Sequence, residues 1–451
     1  MNFHFDTAFT NEGWQNDVQV TVVDGCIAAV SADMICDPAS ERHAIAIPGL
    51  PNLHSHAFQR AMSGFAEMRG PGTDSFWSWR EAMYRFALAM SPDDVEAVAA
   101  LAYAEMLEGG FTRVGEFHYL HHDKDGSQFA NVAELASRVA AASAETGLQL
   151  TLLPVFYAHS GFGSQPPGEA QRRFVSSVDS FGSLYFGCEA IVRNVEGSNL
   201  GIAPHSLRAA SPEELLRILS LAKHGPIHIH IAEQLKEVAD CVSWSGLRPV
   251  EWLMSNMPVD EKWCLVHATH MTGAETEAAA KSGAAAGLCP VTEANLGDGI
   301  FDGVNFESYG GRFGIGTDSN VAIGAAAELR QLEYSQRLSL RSRNVLAKPM
   351  QSTGAAIFGA ALFGGSAALG QTQFGLSAGA SADFVTLHAT HAALAGHRND
   401  SFFDAMIFGN STNLIDTVWT RGKKRVGNGR HVDAGRIGAR YAETMRRLLA
   451  V

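Results

Sequence analysis

Residues 48–56 read PGLPNLHSH and set two histidines, His54 and His56, one residue apart at the end of an apolar run. Residues i and i+2 of a strand point to the same side, so both imidazoles can meet one ion. Taken alone, a His-x-His is more simply a turn carrying two surface histidines. Ligand-type residues recur, however: Glu116, His118 and Tyr119; His205 and Arg208; His228, His230 and Glu233; His267 and His270; and Asp318. Each singly has an ordinary structural explanation, such as a buried histidine bonded to a carbonyl or a carboxylate capping a helix. Their recurrence asks for a common cause.

Three imidazoles and a carboxylate suit Zn²⁺ or a neighbouring divalent metal, with one position left for water. Such an ion makes hydroxide available near neutral pH. A base for the water's proton and an acid for the leaving group complete a hydrolytic site. Asp318 could serve as ligand and base, and Glu233, three residues past His230, as a proton shuttle. His228 and His230 share a strand face; His230, nearer the strand's end, is favoured as ligand and His228 as a packed inner histidine. Spacing does not separate His267 from His270.

These residues need elements that bring them to one end. Eight strand candidates occur: the run ending at His54, then 112–119, 148–158, 199–206, 226–233, 262–269, 284–291 and 312–319. Helical patterns separate them at 130–147, 211–225, 250–256 and 273–283, and another follows at 325–339. The pattern at 91–110 opens on Ser91 as N-cap with Pro92 first and closes on Gly109-Gly110. Such alternation predicts a (β/α)₈ TIM-type barrel, in which chemistry gathers at the C-terminal strand ends. The rival, a doubly wound sheet, would more naturally carry GxGxxG after its first strand, and that motif is absent. Residues 17–33 alternate and turn at Asp24-Gly25, a hairpin signal, and 382–389 and 416–432 are again β-rich. The expected organisation is a barrel over 48–366 and a small β-sandwich domain from both termini, 1–47 and 367–451, with a C-terminal helix.

Bulk properties narrow the function classes. The 451 residues are 46% apolar, 18% charged and 9% aromatic, as in a soluble globular protein. The opening MNFHFDTAFTNEGWQ lacks a secretory pattern, no apolar run spans a bilayer, and six cysteines lack CxxC spacing, so a reduced, cytoplasmic enzyme is expected. A net charge of −13 argues against nucleic acid or an anionic membrane as partner. It also requires that an anionic small-molecule substrate be held by local arginines.

The motifs resemble the amidohydrolase superfamily over nearly the whole chain. PGLPNLHSH is similar to its strand-1 metal motif, HIHIAEQ (228–234) to its strand-5 His-x-x-Glu, LVHATH (265–270) to its strand-6 histidine and GIGTDS (314–319) to its strand-8 aspartate. ADFVTL (382–387) is similar to the return strand of its small β domain. The resemblance implies His54, His56, His230 and Asp318 as ligands of one divalent metal, Zn²⁺ foremost. It implies Glu233 as proton carrier, His267 as the residue that positions the hydrolytic water, and a homodimer. Two-metal members bridge their ions with a lysine or glutamate; LPVFYAHSG (153–161) and APHSLR (203–208) offer neither, so a single-metal, deaminase-type site is expected. A narrower likeness in NLHSHAFQRAMSG (52–64), APHSLRA (203–209) and CPVTEANLGDG (289–299) points to a deiminase branch acting on a linear amidine with two carboxylates. It implies Gln59, Arg80, Tyr119, His205 and Arg208 as substrate-binding residues.

Arginine pairs with carboxylate through two charge-assisted bonds, which agrees with that substrate class. Arg80, in FWSWREAM, reads equally as a surface ion pair, whereas Arg208 just past a strand reads as functional. His121-His122-Asp123 reads as a solvated turn, FWSW (76–79) as packing within a long loop over the barrel mouth, 348–365 as closing helices and Cys289 as packing. The alternatives are deamination of a purine- or pterin-like ring amidine, and a non-catalytic relative of the same superfamily. A metal-dependent amidase is weakened by the missing second-metal bridge.

Overall fold

The computed structural model describes residues 1–450 except 71, 73, 223 and 410–413. Strands β1 (Asn2–Thr10), β2 (Gly13–Val23), β3 (Cys26–Ser31) and β4 (Glu41–Pro48) open the chain. Asp24 and Gly25, at φ 50° and 79°, make the two-residue turn between the antiparallel β2 and β3. Then come β5 (Leu50–Ser55), β6 (Phe111–His118), β7 (Gln149–Phe156), β8 (Asn199–Leu200), β9 (Ala203–Pro204), β10 (Ile227–Ile231), β11 (Trp263–His267), β12 (Ala285–Leu288) and β13 (Arg312–Ile315). The last four are β14 (Phe384–Leu387), β15 (Ile415–Thr420), β16 (Lys423–Gly427) and β17 (Arg430–His431).

The terminal strands form one sheet in the order β17-β16-β15-β14-β4-β1-β2-β3. One hydrogen-bonded path stands where two sheets of a sandwich were expected. The reason is β4, which pairs with β1 in parallel on one edge and with β14 antiparallel on the other. Aromatic residues from both ends weld this join: Phe3 meets Phe384 and Trp419 edge-on, with ring centroids 4.9 and 4.8 Å apart.

The middle strands form two parallel arcs, β5-β6-β7-β8 with β9 also on β7, and β10-β11-β12-β13. Isolated parallel bridges cross between the arcs, Ser55 to Asp318 at one seam and Ile202 to Ile227 and Ser206 to His230 at the other. Every residue of β6, β7, β10 and β11 is buried, as parallel strands covered on both faces require. Close approach at the first seam depends on Gly316, where a Cβ would come 2.7 Å from His54 O. That contact lets the end of β13 lie beside β5.

Helices separate the strands where the sequence pattern placed them, and also at Val178–Val192 and Leu235–Ser245, where it placed none. Pro92–Glu108 is capped by Ser91, whose side chain accepts from Asp94 N while the Asp94 carboxylate accepts from Ser91 N. The helix expected over 211–225 is shorter, Pro212–Leu219. FWSW does not lie in a loop: it opens a helix, Phe76–Ala89, because Ser75 and Ser78 form a capping box ahead of it. Thr353–Ala368 provides the closing helix and Ala434–Leu449 the C-terminal one. Among the described residues no helix is long and apolar enough to cross a membrane.

Candidate active site

At the end of β5, His54 and His56 both turn inward. His54 Nε2 lies 3.0 Å from His230 Nε2 and 3.5 Å from Asp318 Oδ1, and His56 Nε2 lies 3.2 Å from the same oxygen. One ligand-type atom from each of these four buried residues falls within 4.8 Å of the others. His56 Nδ1 faces Phe117 O at 3.0 Å, which assigns the proton to Nδ1 and the lone pair to Nε2. Burial holds His54 at about 3 and His230 well below its ordinary value, so both rings are neutral. Two buried imidazole nitrogens 3.0 Å apart beside a carboxylate suit a shared cation. The donor set fits a divalent metal.

A buried amide holds the two strands in register here. Asn320 Nδ2 donates to Ser55 Oγ, His56 O and Asp318 O, each at 3.1 Å, and Asn320 Oδ1 accepts from Thr317 Oγ1. Thr317 in turn joins Asn52 through Asn52 Nδ2 and Oδ1. These bonds link the backbone of His56 with that of Asp318.

His267, at the end of β11, sits among three carboxylates. Its Nδ1 is 3.2 Å from Glu293 Oε1, and its Nε2 is 3.8 Å from both Glu233 Oε1 and Asp318 Oδ2. Burial opposes a charge on this ring, but Glu233, Glu293 and Asp318 outweigh it and raise His267 to about 10. Burial pushes Glu233 up to about 7, with His267 pulling the other way. His270 lies outside this group, half-buried, its carbonyl accepting from Arg248.

A cavity opens from these groups and is lined by Gln59, Arg80, Tyr119, His205 and Arg208 together with Tyr157. Gln59 Nε2 donates to Tyr119 OH at 2.7 Å, and the Tyr119 ring packs edge-on against His56. His205 packs between His230 and Tyr157, at centroid distances of 4.9 and 4.7 Å. Arg208 is 7% exposed and its Nε has no partner among the described residues. Arg80 stacks on Trp77 and Tyr84 at 4.6 and 5.6 Å, so it belongs to the cavity wall, not to a surface ion pair.

Other residues take structural places. His228 Nε2 lies 2.7 Å from Ala368 O, as expected of an inner packed histidine. Glu116 accepts from Ala57 N at 2.7 Å, and burial raises it to about 7. His118 is buried edge-on to His121. The solvated turn expected at His121-His122 is not solvated: the rings are buried, with Nε2 of each facing a carbonyl, Val155 O at 2.8 Å and Val175 O at 2.7 Å. Three carboxylates were missed: Glu293; Glu237, which accepts from Glu233 N; and Asp298, which accepts from Gln234 and is raised to about 9 by burial and by Glu233. The Glu233/Glu237 spacing at the start of a helix was the one readable signal.

A family profile described as "Amidohydrolase family" matches residues 45–425. The chain belongs to the amidohydrolase family. A second profile, "Formimidoylglutamate deiminase HutF, N-terminal domain", matches residues 2–44. The formimidoylglutamate deiminase of Pseudomonas aeruginosa is 45% identical over 447 residues, covering 98% of each chain. A solved amidohydrolase from Brucella melitensis superposes with a TM-score of 0.97 at 51% identity, covering 99% of each chain. An adenosine deaminase from Xanthomonas campestris, solved with bound zinc, superposes at 0.83 and 23% identity over 100% of this chain and 98% of its own, a likeness of fold. The arrangement brings together four residues that could hold a cation, Glu233 and His267 beside them, and a cavity with two guanidinium groups.

Proposed function

We propose that this amidohydrolase hydrolyses N-formimino-L-glutamate to N-formyl-L-glutamate and ammonia, a step of histidine degradation. The observation that carries the reading is 45% identity to the Pseudomonas aeruginosa formimidoylglutamate deiminase across 98% of both chains.

In this reading His54, His56, His230 and Asp318 hold one divalent ion, taken as Zn²⁺ from the imidazole-rich donor set. When bound, the ion makes water acidic enough to attack at neutral pH. Asp318 Oδ2 accepts the attacking water's proton, and His267, 3.8 Å away and fixed by Glu293, orients that water. Oxygen bonds to the amidine carbon and the bond to the imino nitrogen breaks. Glu233 Oε1 delivers the proton to departing ammonia, a role suited to a carboxyl that burial raises to about 7. Arg208 and Arg80 meet the two glutamate carboxylates, while Gln59, Tyr119 and His205 shape the wall between them and the ion.

The reading includes a cytoplasmic homodimer, with the arcs acting as one (β/α)₈ barrel over 48–366 and a small β domain from 1–47 and 367–451. The test is hydrolysis of N-formimino-L-glutamate in heavy-oxygen water. Label in the formyl group with one ammonia per turnover supports it; unlabelled product, or none, removes it.

A further inference from the structure

Asp318 offers its two oxygens to different groups. Oδ1 faces His54 and His56 at 3.5 and 3.2 Å, whereas Oδ2 faces His267 Nε2 at 3.8 Å. Cys289 lies near this pair, and one ligand-type atom each from His267, Cys289 and Asp318 falls within 4.8 Å of the others. All three side chains are buried, and Asp318 and His267 line the cavity, so an ion in the cavity has direct access to two of them. Glu293 Oε1 engages His267 Nδ1 at 3.2 Å and so turns Nε2 toward Asp318, the carboxylate–histidine arrangement that supports metal ligation once Nε2 has given up its proton. Glu233, 3.8 Å from the same Nε2, adds a further negative charge.

We propose that His267, Cys289 and Asp318 Oδ2 form a second, inhibitory metal site, selective for thiophilic divalent ions such as Zn²⁺ or Cd²⁺. One thiolate, one imidazole and one carboxylate favour those ions over Mg²⁺ or Mn²⁺. Asp318 bridges, with Oδ1 toward the first ion and Oδ2 toward the second. On binding, the Cys289 thiol proton and the His267 Nε2 proton pass to solvent as a sulfur–metal and a nitrogen–metal bond form, with no change in oxidation state. The second ion takes the two atoms, His267 Nε2 and Asp318 Oδ2, that the proposed mechanism uses to orient and deprotonate water. It therefore stops turnover. Cys289 itself has no part in that mechanism.

This inference rests on assignment of the first ion to His54, His56, His230 and Asp318, which elemental analysis of the untreated holoenzyme checks beforehand. The experiment is titration of that holoenzyme with Cd²⁺, reading near-ultraviolet thiolate-to-metal absorption and activity in parallel. The expected result is absorption and inhibition that rise together and saturate at one added ion. Cys289→Ser should remove that absorption and weaken Cd²⁺ inhibition by about tenfold or more, with basal activity and melting temperature kept. Cys289→Ala should repeat the result if the serine variant folds poorly. Absorption and inhibition that survive both substitutions would place the ion on other cysteines and overturn the site, as would Cd²⁺ binding without inhibition.

Discussion

His267 Nε2 and Asp318 Oδ2 face each other at 3.8 Å from backbones that both lie at positive φ, 66° and 45°. Neither residue is glycine, so each conformation costs on the order of 1–3 kcal/mol and must be held by its surroundings. Backbone bonds supply the hold. Asp318 N donates to His54 O at 3.0 Å, and Ala268 N, just past His267, donates to Ile231 O at 3.0 Å. Both strand ends are thus turned so that their side chains meet at the cavity floor.

Glu233→Gln keeps size and hydrogen bonding but removes the transferable proton. The expected outcome is a chain that still carries one divalent ion by elemental analysis and loses about 10²-fold or more in kcat. Turnover near that of the unaltered chain would remove Glu233 from proton transfer.

Asn320→Ala deletes an amide that bonds Ser55, His56 and Asp318 at once and leaves Thr317 Oγ1 without its acceptor. Loss of second-layer support of this kind weakens metal binding by about 10- to 100-fold. Ion release to a chelator should quicken by a similar factor, and urea unfolding should show a stability loss of about 1–3 kcal/mol. Release at the original rate would mean that Asp318 is held without Asn320.

Glu116 gives a pH-dependent outcome. Its carboxyl is raised by burial from 4.5 to about 7, so between those values the unfolded chain ionises while the folded one stays protonated. Stability from this group is therefore full below about pH 4.5 and declines as pH rises toward 7, by up to about 3 kcal/mol. Glu116→Gln can still accept from Ala57 N and removes the titration. Relative to the unaltered chain, its melting temperature should be higher at pH 8 than at pH 5; an equal difference at both pH values would contradict the assignment.

The strand ends were legible because polar residues there interrupt apolar runs, as in IHIHIAE. Position along the strand then separated His230 from His228, which packs deeper against Ala368 O. The start of Phe76–Ala89 was hidden because two tryptophans and a phenylalanine carry no helical signal, while the decisive Ser75/Ser78 cap is short. His121 and His122 were misread because sequence reports polarity, not the carbonyls of Val155 and Val175 that satisfy it. The terminal sheet was legible as β-rich runs at both ends, but its path was not: β4 finds partners from opposite ends of the chain, and strand pairing over that distance leaves no local mark. Glu293 escaped notice because its role depends on His267, from a different strand.

Arg208→Met isolates substrate charge from the reaction centre. A buried arginine–carboxylate pair is worth roughly 2–5 kcal/mol when one partner is truncated, so kcat/KM for N-formimino-L-glutamate should fall by roughly 30- to 5000-fold. An amidine without carboxylates should be handled as poorly by the variant as by the unaltered chain, with the metal retained. Equal damage to both substrates would make Arg208 structural. Damage to neither would favour a ring-amidine substrate.

The most direct measurement of the central claim is the rate of ammonia release from N-formimino-L-glutamate, with adenosine and guanine as competitors for the assignment. The account predicts kcat/KM of about 10⁴ M⁻¹s⁻¹ or above for the linear amidine. The purines, lacking carboxylates for Arg80 and Arg208, should lag by about a thousandfold or more. Faster release from either purine would contradict it.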